Sequence, residues 1–257
     1  MATNLPTNPA DPEALRVERS HKWIRAYLGG HAVVDSRAVR LVWEQPFYPT
    51  YYFPVADVGA SLHPTGDARK DPGRGVGVIC DVTAGTVTAA GAALHFEGED
   101  AAGSLRGLVR LDWSAMDAWF EEDEPVYTHA RDPYTRVEVL TSSRHVRIEL
   151  DGVTVAESRA PRLLFETHLP TRYYLPMTDV DQRVLRPSDR RTQCPYKGEA
   201  EYFSVEVGGR LHRNLVWVYR LPLPESQKIA GMAAFYTERV DLFVDGVHEP
   251  HPNNPFG

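Results

Sequence analysis

The sequence predicts a mainly β protein made of two tandem, pseudo-symmetric small domains with few short helices. Three observations carry this reading. Twenty prolines and nineteen glycines are spread through 257 residues, which suits many short strands joined by turns. The turn pairs Gly29-Gly30, Asp151-Gly152 and Gly208-Gly209 each sit between stretches of strand-like alternation, the mark of a two-residue hairpin. Finally, the chain repeats itself.

The repeat aligns Arg25 to Val58 (RAYLGGHAVVDSRAVRLVWEQPFYPTYYFPVADV) with Arg147 to Val180 (RIELDGVTVAESRAPRLLFETHLPTRYYLPMTDV) without a gap. Roughly 15 of about 34 positions match, far above chance for unrelated segments. Ser36-Arg37 pairs with Ser158-Arg159, Glu44 with Glu166, Tyr51-Tyr52 with Tyr173-Tyr174, and Pro54 with Pro176. After one small shift the match continues: Leu62-His63-Pro64 with Leu185-Arg186-Pro187, Asp71-Pro72 with Cys194-Pro195, and Gly75 with Gly198. A tandem duplication explains this.

Taken in order, residues 1–16 form a loose arm, with three prolines among small polar residues. The first copy spans 17–140 and the second 141–247, with a short boundary near Tyr134 to Ser143 after the acidic run Glu121 to Glu124. In copy two, His145 to Leu150 and Val153 to Glu157 flank Asp151-Gly152; Glu201 to Val207 and Leu211 to Tyr219 flank Gly208-Gly209. Met232 to Tyr236 and Val240 to Val244 read as the last strand pair, closing at Asp245-Gly246. Ser114 to Asp117 reads as the cap of a short helix through Phe120, and Pro224 to Ala230 as another. Residues 248–257 read as a disordered tail.

Composition excludes several classes. A net charge of −7 argues against general nucleic-acid binding, which needs a broad basic face. No apolar run has transmembrane length, and the N-terminus lacks the basic and apolar regions of a signal peptide, so the expectation is a cytoplasmic protein that does not bind membranes. Two cysteines, Cys80 and Cys194, with no CxxC, give neither a disulfide framework nor a zinc site. No metal or organic cofactor is expected. Cys80 lies in an apolar strand, GVGVICDV, and reads as core.

One stretch, Ser158 to Val205, gathers the candidate chemistry. Cys194 sits in a polar loop near Arg190, Arg191 and Lys197; cationic neighbours stabilise a thiolate, the reactive form. The competing reading is a small residue packed beneath the loop. Glu166 ends an apolar strand in both copies and reads either as a general base or as a structural ion pair with Arg162 or Arg172. His168 could assist proton transfer, although copy one has Pro46 there. Tyr173 and Tyr174 alternate, one toward the core and one toward the opposite surface. Tyr196, Tyr202, Trp217 and Tyr219 could line a flat pocket or simply be core aromatics. Arg172, Ser188, Thr192 and Lys197 would be donors to a carbonyl or anionic ligand.

The runs LLFETHLPTRYYLP, RRTQCPYKGEAEYFSVEVGG, AGMAAFY and VDLFVDG resemble the DUF427 family of bacterial and fungal proteins. Copy two matches nearly throughout, and copy one in its first half. The resemblance implies strongly bent antiparallel sheets, similar to the β-tent (Mss4-like) group. Relatives in that group often bind zinc through paired CxxC motifs, which this chain lacks. The family's occasional label of nucleotidyltransferase finds no acidic metal pair or Gly-rich phosphate loop here. The reading is a cofactor-independent enzyme acting on a small metabolite in the second copy, with Cys194, Glu166, Lys197 and Tyr174 catalytic. Arg172, Tyr173, His168, Ser188, Thr192, Tyr196, Tyr202, Trp217 and Tyr219 would bind the substrate. The alternatives are a non-catalytic binding module with an aromatic pocket, and a structural role in which copy one is a docking surface. A homo-oligomer is compatible with the sequence.

Overall fold

The computed structural model describes residues 15–71 and 73–254. Most of the expected N-terminal arm therefore lies outside the described residues, as do 255–257. The chain divides into two compact units, Met1–Asp132 and Pro133–Gly257.

The first unit contains β1 (Val17–Arg19), β2 (Ile24–Leu28), β3 (His31–Ser36), β4 (Arg40–Val42), β5 (Thr50–Pro54) and β6 (Ser61–Asp71). It continues with β7 (Gly75–Ala84), β8 (Val87–Phe96), β9 (Leu108–Leu111), β10 (Ala118–Glu121) and β11 (Glu124–Val126). The second unit contains β12 (Val137–Thr141), β13 (Val146–Leu150), β14 (Val153–Ser158), β15 (Arg162–Glu166), β16 (Arg172–Leu175) and β17 (Leu185–Cys194). It ends with β18 (Gly198–Val207), β19 (Arg210–Val218), β20 (Ala233–Phe235), β21 (Asp241–Val244) and β22 (Val247–Glu249).

Each unit pairs one seven-stranded and one four-stranded antiparallel sheet. The large sheets run β1-β4-β5-β9-β8-β7-β6 and β12-β15-β16-β20-β19-β18-β17. The small sheets are β11-β10-β2-β3 and β14-β13-β21-β22. Strand for strand the two orders are the same. The irregularities repeat as well: a register shift falls after Ala26 in β2 and after Ile148 in β13, and another after Cys80 in β7 and Phe203 in β18. The backbone opposite that second shift takes a positive φ, on Gly91 in one copy and Asn214 in the other. Duplicated bulges are features of the design rather than accidents of sequence.

The turns follow their chemistry. Asp151 and Gly152 adopt φ of 50° and 77°, and Gly208 and Gly209 adopt 57° and 78°, the left-handed pairs of a type I′ hairpin. Alternation then buries one side of each strand: β2 and β13 both read buried, half-buried, buried, half-buried, buried. Those inward residues form one apolar cluster per unit, between its two sheets. A second, smaller cluster lies on the outer face of each large sheet. In the first unit Tyr52, Leu94, Phe96 and Leu105 build it; in the second Tyr174, Tyr202, Trp217, Tyr219 and Ile229 do.

Five expectations change. No helix spans Ser114 to Phe120. Asp112, not Ser114, caps a single 3-10 turn at Trp113–Ala115, and β10 follows because Trp119 and Glu121 must point inward in alternation. Met232–Tyr236 and Val240–Val244 do not pair. β20 joins the large sheet between β16 and β19, while β21 joins the small sheet beside β13 and turns through Asp245-Gly246 into β22. His248 thus belongs to a strand, and within the stretch read as a boundary Val137–Thr141 forms the edge strand β12. Leu15 packs against the first unit's outer cluster. The helical segments among the described residues are all short 3-10 turns, of which Pro224–Ile229 is the longest, and none is long and apolar enough to cross a membrane.

Candidate functional site

Register puts most of the candidate residues on one surface. In β15 the residues facing outward with Leu164 include Glu166; in β16 they are Arg172 and Tyr174. Tyr174 lies opposite Ala234, Ala234 opposite Trp217, and Trp217 opposite Tyr202. Thr192 lies opposite Ala200, and Cys194 opposite Gly198 at the end of the next ladder. Period two carries the same face along each strand, so Glu166, Arg172, Tyr174, Thr192, Cys194, Tyr202, Trp217 and Tyr219 share the outer side of the large sheet.

Cys194 to Gly198 forms the tight turn from β17 to β18. Gly198 takes a φ of +89°, which strains any residue with a Cβ. The segment after β19 buttresses this turn: the Leu223 amide donates to the Lys197 carbonyl (3.2 Å), and Ser226 Oγ donates to the Tyr196 carbonyl (3.1 Å). Lys197 is thereby driven inward, where its ammonium pairs with Glu166. The two side chains are 10% and 8% exposed, so this is a buried ion pair, and the partner of Glu166 is neither Arg162 nor Arg172. Burial pulls the Lys197 pKa down, but the adjacent Cys194, Glu166 and Tyr174 outweigh it and hold the pKa above the ordinary lysine value. Tyr174 receives a hydrogen bond from Trp217 Nε1 (3.0 Å), and burial pushes its phenol far up. Burial, with Tyr174 and Cys194 behind it, does the same to Tyr219. Glu166, Cys194, Lys197, Tyr174 and Tyr219 therefore act on one another at close range.

Exposure sorts these residues into a floor and a rim. Tyr174, Tyr202, Trp217 and Tyr219 are 1%, 6%, 7% and 5% exposed and offer little surface to a ligand. Cys194, Thr192 and Tyr236 are half-buried and Arg190 is exposed. Thr192 Oγ1 and Tyr202 OH share a hydrogen bond of 3.0 Å, and Tyr202 OH lies 3.4 Å from Tyr236 OH. The Arg190 guanidinium stands 4.9 Å over the Tyr202 ring, in cation–π range.

Other candidates are placed differently. Arg172 is held in a fork by Glu238 at 2.8 and 2.5 Å, with Thr237 at 3.1 Å, so its charge is already matched. Tyr173 faces the opposite way, against the cluster between the sheets. His168 is an exposed turn residue with φ of +67°. Ser188 donates to Asn214 at 2.5 Å, away from the thiol. Tyr196 is half-buried in the turn beside Lys197. Cys80 is buried, 1% exposed, and its thiol pKa is raised by burial first and by Asp81 and Glu97 next. Two rim residues are not among the ligand-binding candidates of the sequence. Arg190 reads there only as a cationic neighbour of Cys194, although Arg183, Arg186 and Arg191 each have a carboxylate within 4.0 Å. Tyr236 comes from a strand whose sheet the sequence did not reveal. Among the described residues, no three His, Cys, Asp or Glu side chains gather as a metal site requires.

The first unit repeats the frame. Glu44, two residues beyond β4, stands where Glu166 ends β15, and pairs with Arg74 (2.9 Å), which occupies the place of Lys197. Two matched segments decide the family: the description "Domain of unknown function (DUF427)" fits residues 16–122 and again 138–246. The chain belongs to the DUF427 family. No curated protein matches it. The two DUF427 copies coincide with the two sheet pairs, so the duplication read from the sequence is a duplication of the whole family domain.

Proposed function

We propose that the second DUF427 copy takes a small anionic metabolite at the rim formed by Cys194, Thr192, Tyr236 and Arg190, and acts on it through the Cys194 thiol without a cofactor. The observation that carries this reading is the position of Cys194. In copy one the same place holds Asp71, whose carboxylate sits 3.1 Å from Arg74. A position that accepts a negative charge beside a buried cation suits a thiolate. In this reading Lys197 stabilises the thiolate, Glu166 fixes Lys197, Tyr174 and Tyr219 form the floor, and Arg190 holds the ligand's anionic group. Arg172, matched by Glu238, positions the wall instead.

A second reading, a non-catalytic binding module with a neutral Cys194, draws on one observation. Copy one has Arg110 3.3 Å from Glu44, whereas Ala234 stands at that point of the second sheet. Copy two therefore lacks both a carboxylate and a guanidinium, and Glu166 and Lys197 balance without a thiolate.

Alkylation separates the two. Under the enzyme reading, Cys194 reacts with iodoacetamide at pH 6 about tenfold faster than free glutathione, with buried Cys80 as the internal control. The anionic reagent iodoacetate should be favoured relative to iodoacetamide, and Arg190→Ala should remove that preference. A thiol no faster than glutathione moves the assignment to the binding module. A fast thiol indifferent to Arg190 removes the anion from the proposal.

A further inference from the structure

Copy one carries a cleft of its own, at the end of its small sheet. It encloses about 360 Å³ and is lined by Trp113, Asp117, Trp119, Pro125 and Tyr127 among others. That volume lies at the lower end of ordinary small-molecule sites. The aromatic walls are fixed in place. Trp113 and Trp119 stack with ring centroids 4.5 Å apart and planes within 7°. Trp119 Nε1 donates to the Trp113 carbonyl at 3.0 Å, and Tyr51 backs both rings at 6.4 Å. Tyr127, by contrast, is 71% exposed, an unusual place for a tyrosine with no packing duty. Asp117 contributes a carboxylate whose Oδ2 accepts from the Gly29 amide at 2.6 Å. Among the described residues no cation pairs with it.

The fold does not require this composition. Trp119 lies opposite Ala26, and its counterpart opposite Ile148 in copy two is Leu242. Pro125 lies opposite Phe120, and its counterpart opposite Phe243 is His248. Copy two closes the same sheet with a leucine and a histidine, so the Trp119 indole and Pro125 are additions in copy one. The half-buried indole of Trp113, backed by the buried Trp119 ring, together with an exposed phenol and an unmatched carboxylate, makes a site for a positive charge spread over an apolar surface. Aromatic faces attract a cation through their quadrupole, and a methylated ammonium is more easily stripped of water than a bare one.

We propose that this cleft binds a free small molecule bearing a quaternary or methylated ammonium group, with Trp113 and Tyr127 against the methyl groups and Asp117 balancing the charge. The site is independent of Cys194, and neither proposal depends on the other.

The test is titration of the full chain with tetramethylammonium and choline, read in the indole N–H cross-peaks of the NMR spectrum. The uncharged choline isostere 3,3-dimethylbutan-1-ol serves as the control. Binding should shift the Trp113 and Trp119 peaks, leave that of Trp217 in place, and be about tenfold tighter for choline than for the isostere. Tyr127→Ala removes an exposed side chain and should fold normally while weakening choline about tenfold. Asp117→Asn keeps the acceptor for Gly29 and should weaken choline but not the isostere. Equal affinity for choline and isostere, or no indole shift with either cation, overturns the proposal. Tighter binding of a trimethyllysine peptide than of choline overturns the free-molecule source.

Discussion

The outer faces of the two large sheets are built on one register and filled with different chemistry. Crossing four strands, copy one reads Tyr52, Arg110, Leu94, Ile79, and copy two reads Tyr174, Ala234, Trp217, Tyr202. Along the edge strand Arg69 and Asp71 give way to Thr192 and Cys194. A carboxylate at the end of the fourth strand or just beyond it, a tyrosine beside it and a cation from the tight turn are common to both. Features kept in both copies answer the needs of the fold, because the copies share the fold. The hydroxyls, the indole and the thiol are peculiar to copy two. The same logic applied to the small sheets isolates Trp119 and Pro125 in copy one.

The comparison breaks most visibly at the buried ion pairs. Removing one partner of such a pair strands the other charge and costs about 3–5 kcal/mol. Lys197→Ala leaves Glu166 without its ammonium and should cost that amount. Arg74→Ala leaves Glu44 with Arg110 at 3.3 Å and the Tyr52 hydroxyl at 2.7 Å, so its loss should be smaller, about 1–2 kcal/mol for a charge-assisted bond. Urea unfolding, followed separately for each copy, measures both. Equal losses would mean that the second cation of copy one compensates nothing, and that the two frames are energetically the same.

Alkaline pH should separate the copies next. Burial and then the hydrogen bond with Tyr202 push Tyr236 up to about 12, and burial raises Tyr173, Tyr174 and Tyr219 as well. In copy one, burial and then the charge of Glu44 raise Tyr52. An unfolded phenol ionises near pH 10. A phenol raised in the folded state leaves stability intact below that value, and stability then falls as pH rises toward the folded pKa. Copy two should therefore lose stability first, beginning at about pH 10 and steepening toward 12. Tyrosinate absorbance at 295 nm, recorded with a fold-sensitive probe, should show its phenols appearing together with unfolding. Smooth ionisation without unfolding would show that these phenols are reached by water in the folded state.

How much of this was legible follows from distance along the chain. The duplication and the hairpins at Asp151-Gly152 and Gly208-Gly209 were readable because a local pattern fixes them: an ungapped repeat and a left-handed turn pair. The partner of Arg172 was not, because Glu238 reaches it from a different strand end. Nor was the parting of β20 and β21 into separate sheets, since two short apolar runs with a turn between them look like a hairpin wherever they go. Alternation correctly set Tyr173 and Tyr174 on opposite faces but could not say which face held the core, because both sides of this sheet carry apolar clusters.

The smallest expected effect tests whether the hydroxyls of copy two serve the fold at all. Tyr202 OH meets Thr192 Oγ1 at 3.0 Å and Tyr236 OH at 3.4 Å, the second a weak bond at that length. Ile79 occupies the corresponding point of copy one, so the sheet accepts a hydrocarbon there. Tyr202→Phe keeps the ring under Arg190 and removes only the oxygen, and should cost about 0.5–1 kcal/mol. Thr192 and Tyr236, both half-buried at the rim, can turn to water for replacement. If the hydroxyls are there for a ligand, the preference of Cys194 for iodoacetate over iodoacetamide should fall in this variant while stability barely moves. A loss of several kcal/mol with the preference unchanged would place Tyr202 among the residues that hold the sheet together.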